Sequence, residues 1–223
     1  MVIPAYWNGP PGSANGGYTC GVLARLLETP AAEVTLRAPP PLETALRLER
    51  DEGSLRLLDG ETVVAEGRGA PPPQLEPLRS VGLDEAKAAS EAGLRRWASA
   101  HPFPTCVVCG PERGDGMRVF PGPLEDGLFA APWRGEPSCE HVWAALDCPT
   151  SAPVLNYCGG PPIVLARLHA HIERIPAAGE ELVVVSWGLG GAGRKREAAS
   201  ALLAADGSIL ARARALWIEL RRD

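Results

Sequence analysis

The sequence predicts an α+β fold made of two copies of one small unit, each a long antiparallel sheet wrapped around one central helix. Three observations predict it. Asp59-Gly60-Glu61-Thr62-Val63-Val64-Ala65 is echoed by Asp206-Gly207-Ser208-Ile209-Leu210-Ala211, each a tight Asp-Gly turn feeding an apolar strand. A candidate helix lies upstream of each turn, from Asn15 through Leu27 and from Glu140 through Asp147. The second half reads as long strand-like runs around a single helix, an α+β pattern rather than a doubly wound one. The echo is loose, because the second copy lacks one residue after its turn and carries a longer insertion.

The elements follow in order. Residues 1–14 are irregular, with Pro10-Pro11-Gly12, and Ser13 or Asn15 can cap the helix that follows. Leu23, Leu26 and Leu27 share one apolar helical face. Val34 to Arg37 and Leu42 to Glu49 alternate as half-buried strands do, separated by Pro39-Pro40-Pro41, which suits an edge or a bend. Ser54 to Leu58 and Thr62 to Gly67 form a hairpin, and Pro71-Pro72-Pro73 closes the unit as a stiff linker. Asp84 to Ala100 is the clearest helix, with Asp84 as N-cap; it is expected to connect the units and pack across their junction. Strands are expected at Arg118–Phe120, Gly127–Ala131, Ile163–Ile172, Glu181–Leu189, Glu197–Ala204 and Ile209–Glu219. The organisation is therefore a shortened first unit over residues 1–75, a linker with the connecting helix over 76–100, and a second unit over 101–223.

Composition excludes several function classes. The chain has 223 residues, of which 45% are hydrophobic and 22% charged, an ordinary balance that supports a buried core. A net charge of −5 gives no electrostatic case for nucleic acid. No apolar run approaches the roughly 18–20 residues that span a bilayer, and the N-terminus shows no signal-peptide pattern, so no membrane association and a cytoplasmic location are expected. Six cysteines without an export signal argue for reduced thiols.

Asp147 leads the candidate chemistry. It ends the apolar run Val142-Trp143-Ala144-Ala145-Leu146, where a carboxylate is partly desolvated and becomes a better base or nucleophile. Alternatively it only ends the helix before Cys148-Pro149. Thr150 offers a hydroxyl to position a water, as does Ser151, though both suit a turn after proline. Asn15, Gly16 and Gly17 open a helix whose outward N–H groups and partial positive charge suit a developing oxyanion; the plain alternative is a capped helix. Arg194, Lys195 and Arg196 follow the glycine-rich stretch from Gly188 to Gly193, and could meet phosphates or sit at a solvated hairpin tip.

Cys106 and Cys109 form a Cys-x-x-Cys, which would need two further ligands for zinc; Cys139 and His141 supply them only on paper, so no metal is expected. His169 and His171 face one side of a strand as packing or surface residues.

Two stretches carry a resemblance. Cys106-Val107-Val108-Cys109-Gly110-Pro111 leading to Gly116-Met117-Arg118-Val119 resembles the opening of PaaI-like hot-dog thioesterases, and Pro176 to Leu182 resembles their strand-to-strand turn. Gly193-Arg194-Lys195, a strand, Asp206-Gly207 and a final strand complete that pattern. Asn15-Gly16-Gly17-Tyr18-Thr19-Cys20-Gly21 resembles the helix start of TesB-like acyl-CoA thioesterases, which are tandem hot-dog proteins. The resemblance implies a tandem hot-dog fold and a thioester site between the units, with coenzyme A entering as part of the substrate and no separate cofactor. It further implies that Asp147 activates water, helped by Thr150, that Asn15, Gly16 and Gly17 hold the carbonyl, and that Arg194 and Lys195 meet the phosphates. The assembly it allows is a homodimer.

One departure is plain. The family's glutamine on the last strands has no counterpart: Ala213, Arg214 and Ala215 occupy that region, and the single glutamine of the chain is Gln74. A non-catalytic thioester-binding or scaffold protein is therefore the alternative. A hot-dog hydratase ranks below both, because the histidine expected five residues after the aspartate is Ala152.

Overall fold

The computed structural model describes residues 1–155 and 160–221. Ten strands form one antiparallel sheet: β1 (Ala31–Leu36), β2 (Arg47–Asp51), β3 (Ser54–Asp59), β4 (Thr62–Gly69), β5 (Gly122–Pro123), β6 (Phe129–Arg134), β7 (Ile163–Ile172), β8 (Glu181–Ala192), β9 (Lys195–Leu203) and β10 (Ile209–Glu219). Their spatial order is β2-β3-β4-β1-β7-β10-β9-β8-β6-β5. The two expected units meet in the middle of this sheet, where β1 pairs with β7 from Ala31 opposite His171 to Thr35 opposite Arg167. Each half places one helix on the sheet: α1 (Gly16–Leu26) in the first and α3 (Cys139–Asp147) in the second.

The two helices pack directly on each other, and two glycines set the distance. A Cβ on Gly17 would fall 2.4 Å from the Cβ of Asp147, and one on Gly21 would fall 2.7 Å from the Cα of Glu140. These contacts make α1 and α3 antiparallel, with the start of α1 against the end of α3. An Arg25–Glu140 ion pair closes the other end of the crossing. The sheet covers this pair with small inward side chains on β10, Ala211, Ala213 and Ala215, all fully buried.

The third helix, α2 (Leu83–Ala100), does not sit where the sequence places it. It packs on β5, β6 and β8 rather than across the junction. The alternation of β8 explains this. Leu182 and Val184 belong to the main core, while Val183 and Val185 join Ala86 and Ala89 of α2 in a second cluster on the opposite sheet face. The helix also begins at Leu83 after Gly82, so Asp84 and Glu85 lie in its first turn, where acidic side chains favour the helix dipole, and Asp84 is not the cap.

Two expected strands differ from the structure: that at Leu42–Glu49 is strand only from Arg47, as β2, and that at Arg118–Phe120 does not form. Residues 42–46 pair with the N-terminal segment instead, through Glu43 N–H to Ile3 O at 2.9 Å and Leu46 N–H to Met1 O at 2.7 Å. Arg118 takes a left-handed φ of 57°, which breaks a ladder. Its neighbours Met117 and Val119 donate to Val107 O and Val108 O, so this segment braces the Cys106–Cys109 loop. No described helix is long and apolar enough to cross a membrane.

Candidate active site

Asn15 caps α1, its Oδ1 accepting from Tyr18 N–H at 2.8 Å. The next free N–H of that first turn, from Gly17, donates to Asp147 Oδ2 at 2.7 Å. Asp147 is the last residue of α3 and is 2% exposed. Its other oxygen, Oδ1, is buried without a hydrogen-bond partner among the described residues. Burial pushes the carboxyl up to about 8; the Gly17 N–H opposes that shift, and the nearby Cys106 sulfur adds to it.

Asp147 and Gly16 line a cavity of 570 Å³ that also takes Asn15, Ser13 and Ser151 into its wall. Most of the rest is apolar, including Leu36, Trp97, Phe103, Leu155, Ile163, Leu165 and Trp217. The walls come from both halves of the sheet and from the start of α1, so the cavity lies between the halves. Gly16 is pressed by Leu165 and Leu36, whose methyl carbons would stand 2.9 and 3.1 Å from an added Cβ.

The other expected residues distribute unevenly. Thr150 lies in the 3-10 turn Cys148–Ser151 that follows α3, but its hydroxyl is engaged. It donates to Asp147 O at 2.6 Å and accepts from Trp217 Nε1 at 2.8 Å. Of this turn's two hydroxyl residues, the one on the cavity wall is Ser151, whose hydroxyl donates to Cys148 O at 2.7 Å. Arg194 and Lys195 sit at the β8–β9 tip, outside the cavity wall. Arg194 donates to Glu219 O at 3.0 Å, and Lys195 pairs with Ile218, which lines the cavity. The basic side chain that does line it, Arg37, is ion-paired with Glu66.

Three cysteines converge on the same wall. The sulfurs of Cys106, Cys109 and Cys148 all lie within 4.8 Å of one another, and all three residues are buried. Cys106 is the easiest of them to ionise, because it accepts from the thiols of Cys109 and Cys148 and from the N–H groups of Cys109 and Val108. Cys139 and His141 are elsewhere: Cys139 Sγ faces Gly21 O, and His141 Nδ1 meets Ser138 Oγ at 2.7 Å. Cys148 and His101 escape a reading of the sequence. Cys148 stands 42 residues from Cys106 and forms no spaced pair with it. The one available signal is its position directly after Asp147.

The architecture has counterparts among solved structures. A conserved protein of unknown function with a hot dog fold from Alicyclobacillus acidocaldarius aligns over 100% of this chain and 92% of its own, at 14% identity and a TM-score of 0.64. The fold is a tandem hot-dog. A tesB protein from Mycobacterium avium subs paratuberculosis shares it over 99% of this chain and 91% of its own, at 11% identity and a TM-score of 0.61. An acyl-CoA thioesterase II from Mycobacterium marinum covers 95% of this chain and 91% of its own, at 11% identity and a TM-score of 0.53. No protein-family model matches the sequence, and no curated protein matches it. At these identities the likeness establishes the tandem hot-dog arrangement, and the chemistry rests on the residues of the site.

Proposed function

We propose that this chain hydrolyses a thioester of the acyl-CoA type in the cavity between its two halves. The observation that carries the reading is Asp147: a buried carboxylate on the cavity wall, with one oxygen held by Gly17 N–H and the other without a hydrogen-bond partner among the described residues. A desolvated carboxylate in that position is a stronger base than one in water. In the proposed step Asp147 takes a proton from a water as the water oxygen attacks the thioester carbonyl carbon. The carbon–sulfur bond then breaks, and the leaving thiolate takes the proton from Asp147, which gives free thiol and carboxylic acid and restores the carboxylate.

The chain's other groups have roles consistent with this. Gly17 spends its N–H on Asp147 and so orients the base; the Gly16 N–H in the same first turn is the candidate donor to the carbonyl oxygen. Thr150 acts as a positioning residue, tying the backbone of Asp147 to Trp217. Leu36, Leu155, Ile163 and Leu165 suit an acyl chain. Arg194 and Lys195, one strand from the cavity residue Ile218, suit the phosphates of the leaving group. Two of the solved structures that share the fold are named tesB protein and acyl-CoA thioesterase II, which supports this substrate class.

One observation favours binding without hydrolysis. The inward positions of β10 are Ala213 and Ala215, and Gln74, the single glutamine of the chain, is outside the cavity, so no glutamine stands beside Asp147 to share a water. A panel of acyl-CoAs of increasing chain length separates the readings, with free thiol release and melting temperature measured together. Turnover with stabilisation supports hydrolysis. Stabilisation alone supports the binding reading; a ligand at 100 times its Kd adds about 2.7 kcal/mol. Neither effect on any chain length overturns both.

A further inference from the structure

The sequence offers Cys106 and Cys109 only Cys139 and His141 as further ligands, yet the fold brings Cys148 instead. The end of α3 carries Cys148 to the Cys-x-x-Cys loop, with 3.8 Å between the sulfurs of Cys106 and Cys148. Sulfurs bound to one tetrahedral zinc at about 2.3 Å stand about 3.8 Å apart. The loop is shaped to hold its sulfurs in place. Gly110 N–H donates to Cys106 O at 2.8 Å, and a Cβ at Gly110 would fall 2.5 Å from both the N and the O of Cys106, so only glycine closes this turn.

Each sulfur also meets an N–H donor. The Asn15 amide nitrogen lies 3.8 Å from Cys106 Sγ and 3.6 Å from Cys148 Sγ. Its orientation is fixed, because its oxygen caps α1 at Tyr18. His101 Nε2 lies 3.3 Å from Cys109 Sγ. The His101 tautomer follows from its other nitrogen: Nδ1 accepts from Phe103 N–H at 2.8 Å, so the ring proton of the neutral imidazole is on Nε2 and points to the sulfur. His101 is thus a donor to a thiolate rather than a metal ligand. Donors of this kind surround thiolates whose summed negative charge exceeds that of the cation they hold.

We propose that Cys106, Cys109 and Cys148 bind one zinc ion as thiolates, with Asn15 and His101 donating to their sulfurs and the fourth coordination position served from the cavity these residues line. Three thiol protons leave for each zinc bound, and the resulting site carries one net negative charge. Cys139, which the sequence would recruit, belongs to the α1–α3 contact and takes no part. The proposal is independent of thioester hydrolysis, since it rests on sulfur geometry and predicts metal content.

Zinc content and cobalt spectroscopy test it on the full chain. Freshly reduced protein given one equivalent of zinc and dialysed against a weak chelator should retain about one zinc per chain. Cys148→Ala and Cys106→Ser should each retain less than a tenth of that, while Cys139→Ser and Cys20→Ser retain it all. His101→Ala should bind zinc about 10–100-fold more weakly, the usual cost of losing an outer partner. Cobalt added to the unsubstituted chain should give thiolate-to-cobalt charge-transfer bands and the strong visible bands of a tetrahedral ion. This measurement needs no variant to fold. The proposal is overturned if the unsubstituted chain retains no zinc and shows no such bands, or if Cys148→Ala keeps its zinc.

Discussion

Asp147 Oδ2 accepts the Gly17 N–H at 2.7 Å, so the last residue of α3 is held by the first turn of α1. This one bond joins the two halves of the fold at the cavity. It also satisfies a helix-start N–H with a carboxylate, the sign the helix dipole favours there. The partner oxygen Oδ1 is left without a hydrogen bond among the described residues. Asp147→Asn keeps the shape but cannot take a proton from water. Thioester turnover is expected to fall about 10²–10⁴-fold, roughly 3–5 kcal/mol in the barrier, with ligand binding nearly unchanged. A stably folded Asp147→Asn chain with full turnover refutes the base assignment; a lower melting temperature with unchanged specific activity makes Asp147 structural.

Gly17→Ala tests the close approach of the helices. The new Cβ would stand 2.4 Å from Asp147 Cβ and 2.8 Å from Trp143 O, and neither is the end of a flexible side chain. The helices must separate, at a cost of about 1–3 kcal/mol or more, and the Gly17–Asp147 bond lengthens. A clear drop in the denaturation midpoint is expected. Gly114→Ala, where an added Cβ meets nothing within 4 Å, should leave the midpoint in place. Equal midpoints for both variants would show that the crossing is looser than described.

Thr150→Val separates positioning from chemistry. Valine keeps the volume but leaves Trp217 Nε1, which donates to Thr150 Oγ1 at 2.8 Å, buried without its acceptor. An unsatisfied buried donor costs about 1–3 kcal/mol. Stability should fall by that amount in urea titrations, and turnover should fall far less than in Asp147→Asn. Thr150→Ser, which restores the hydroxyl, should recover most of the stability. A Thr150→Val chain as stable as the parent contradicts the bridge.

Acid titration probes the turn before β8. Glu180 is held down to about 2, first by Arg174 and then by the Ala177 N–H. Because the folded value lies below the ordinary 4.5, the pair's contribution is present above about pH 4.5 and is lost as pH falls towards 2. The pair faces solvent, so its contribution is small. Glu180→Gln should flatten this part of the stability curve and change little at neutral pH. A variant whose curve overlays the parent's down to pH 2 would show that the pair contributes nothing.

What the sequence determined by itself was the local pattern. The strands Ile163–Ile172 and Ile209–Glu219 have the bounds the sequence predicts, because their apolar spacing is a property of neighbouring residues. The start of α1 and the end of α3 were legible for the same reason, since Asn15 is a capping residue before its helix and Asp147 closes an apolar run. Only the tertiary structure decided what those elements touch. The placement of α2 depends on which face of β8 presents Val183 and Val185 to it, which its own amphipathic pattern cannot specify. The use of the Thr150 hydroxyl depends on Trp217, 67 residues away, and the cysteine cluster depends on a sulfur 42 residues from its partner. Such contacts arise when a sheet closes over a helix pair, and their cost is loop closure between distant segments. Local spacing carries no record of that closure, so the third sulfur of the cavity wall was visible only in the folded chain.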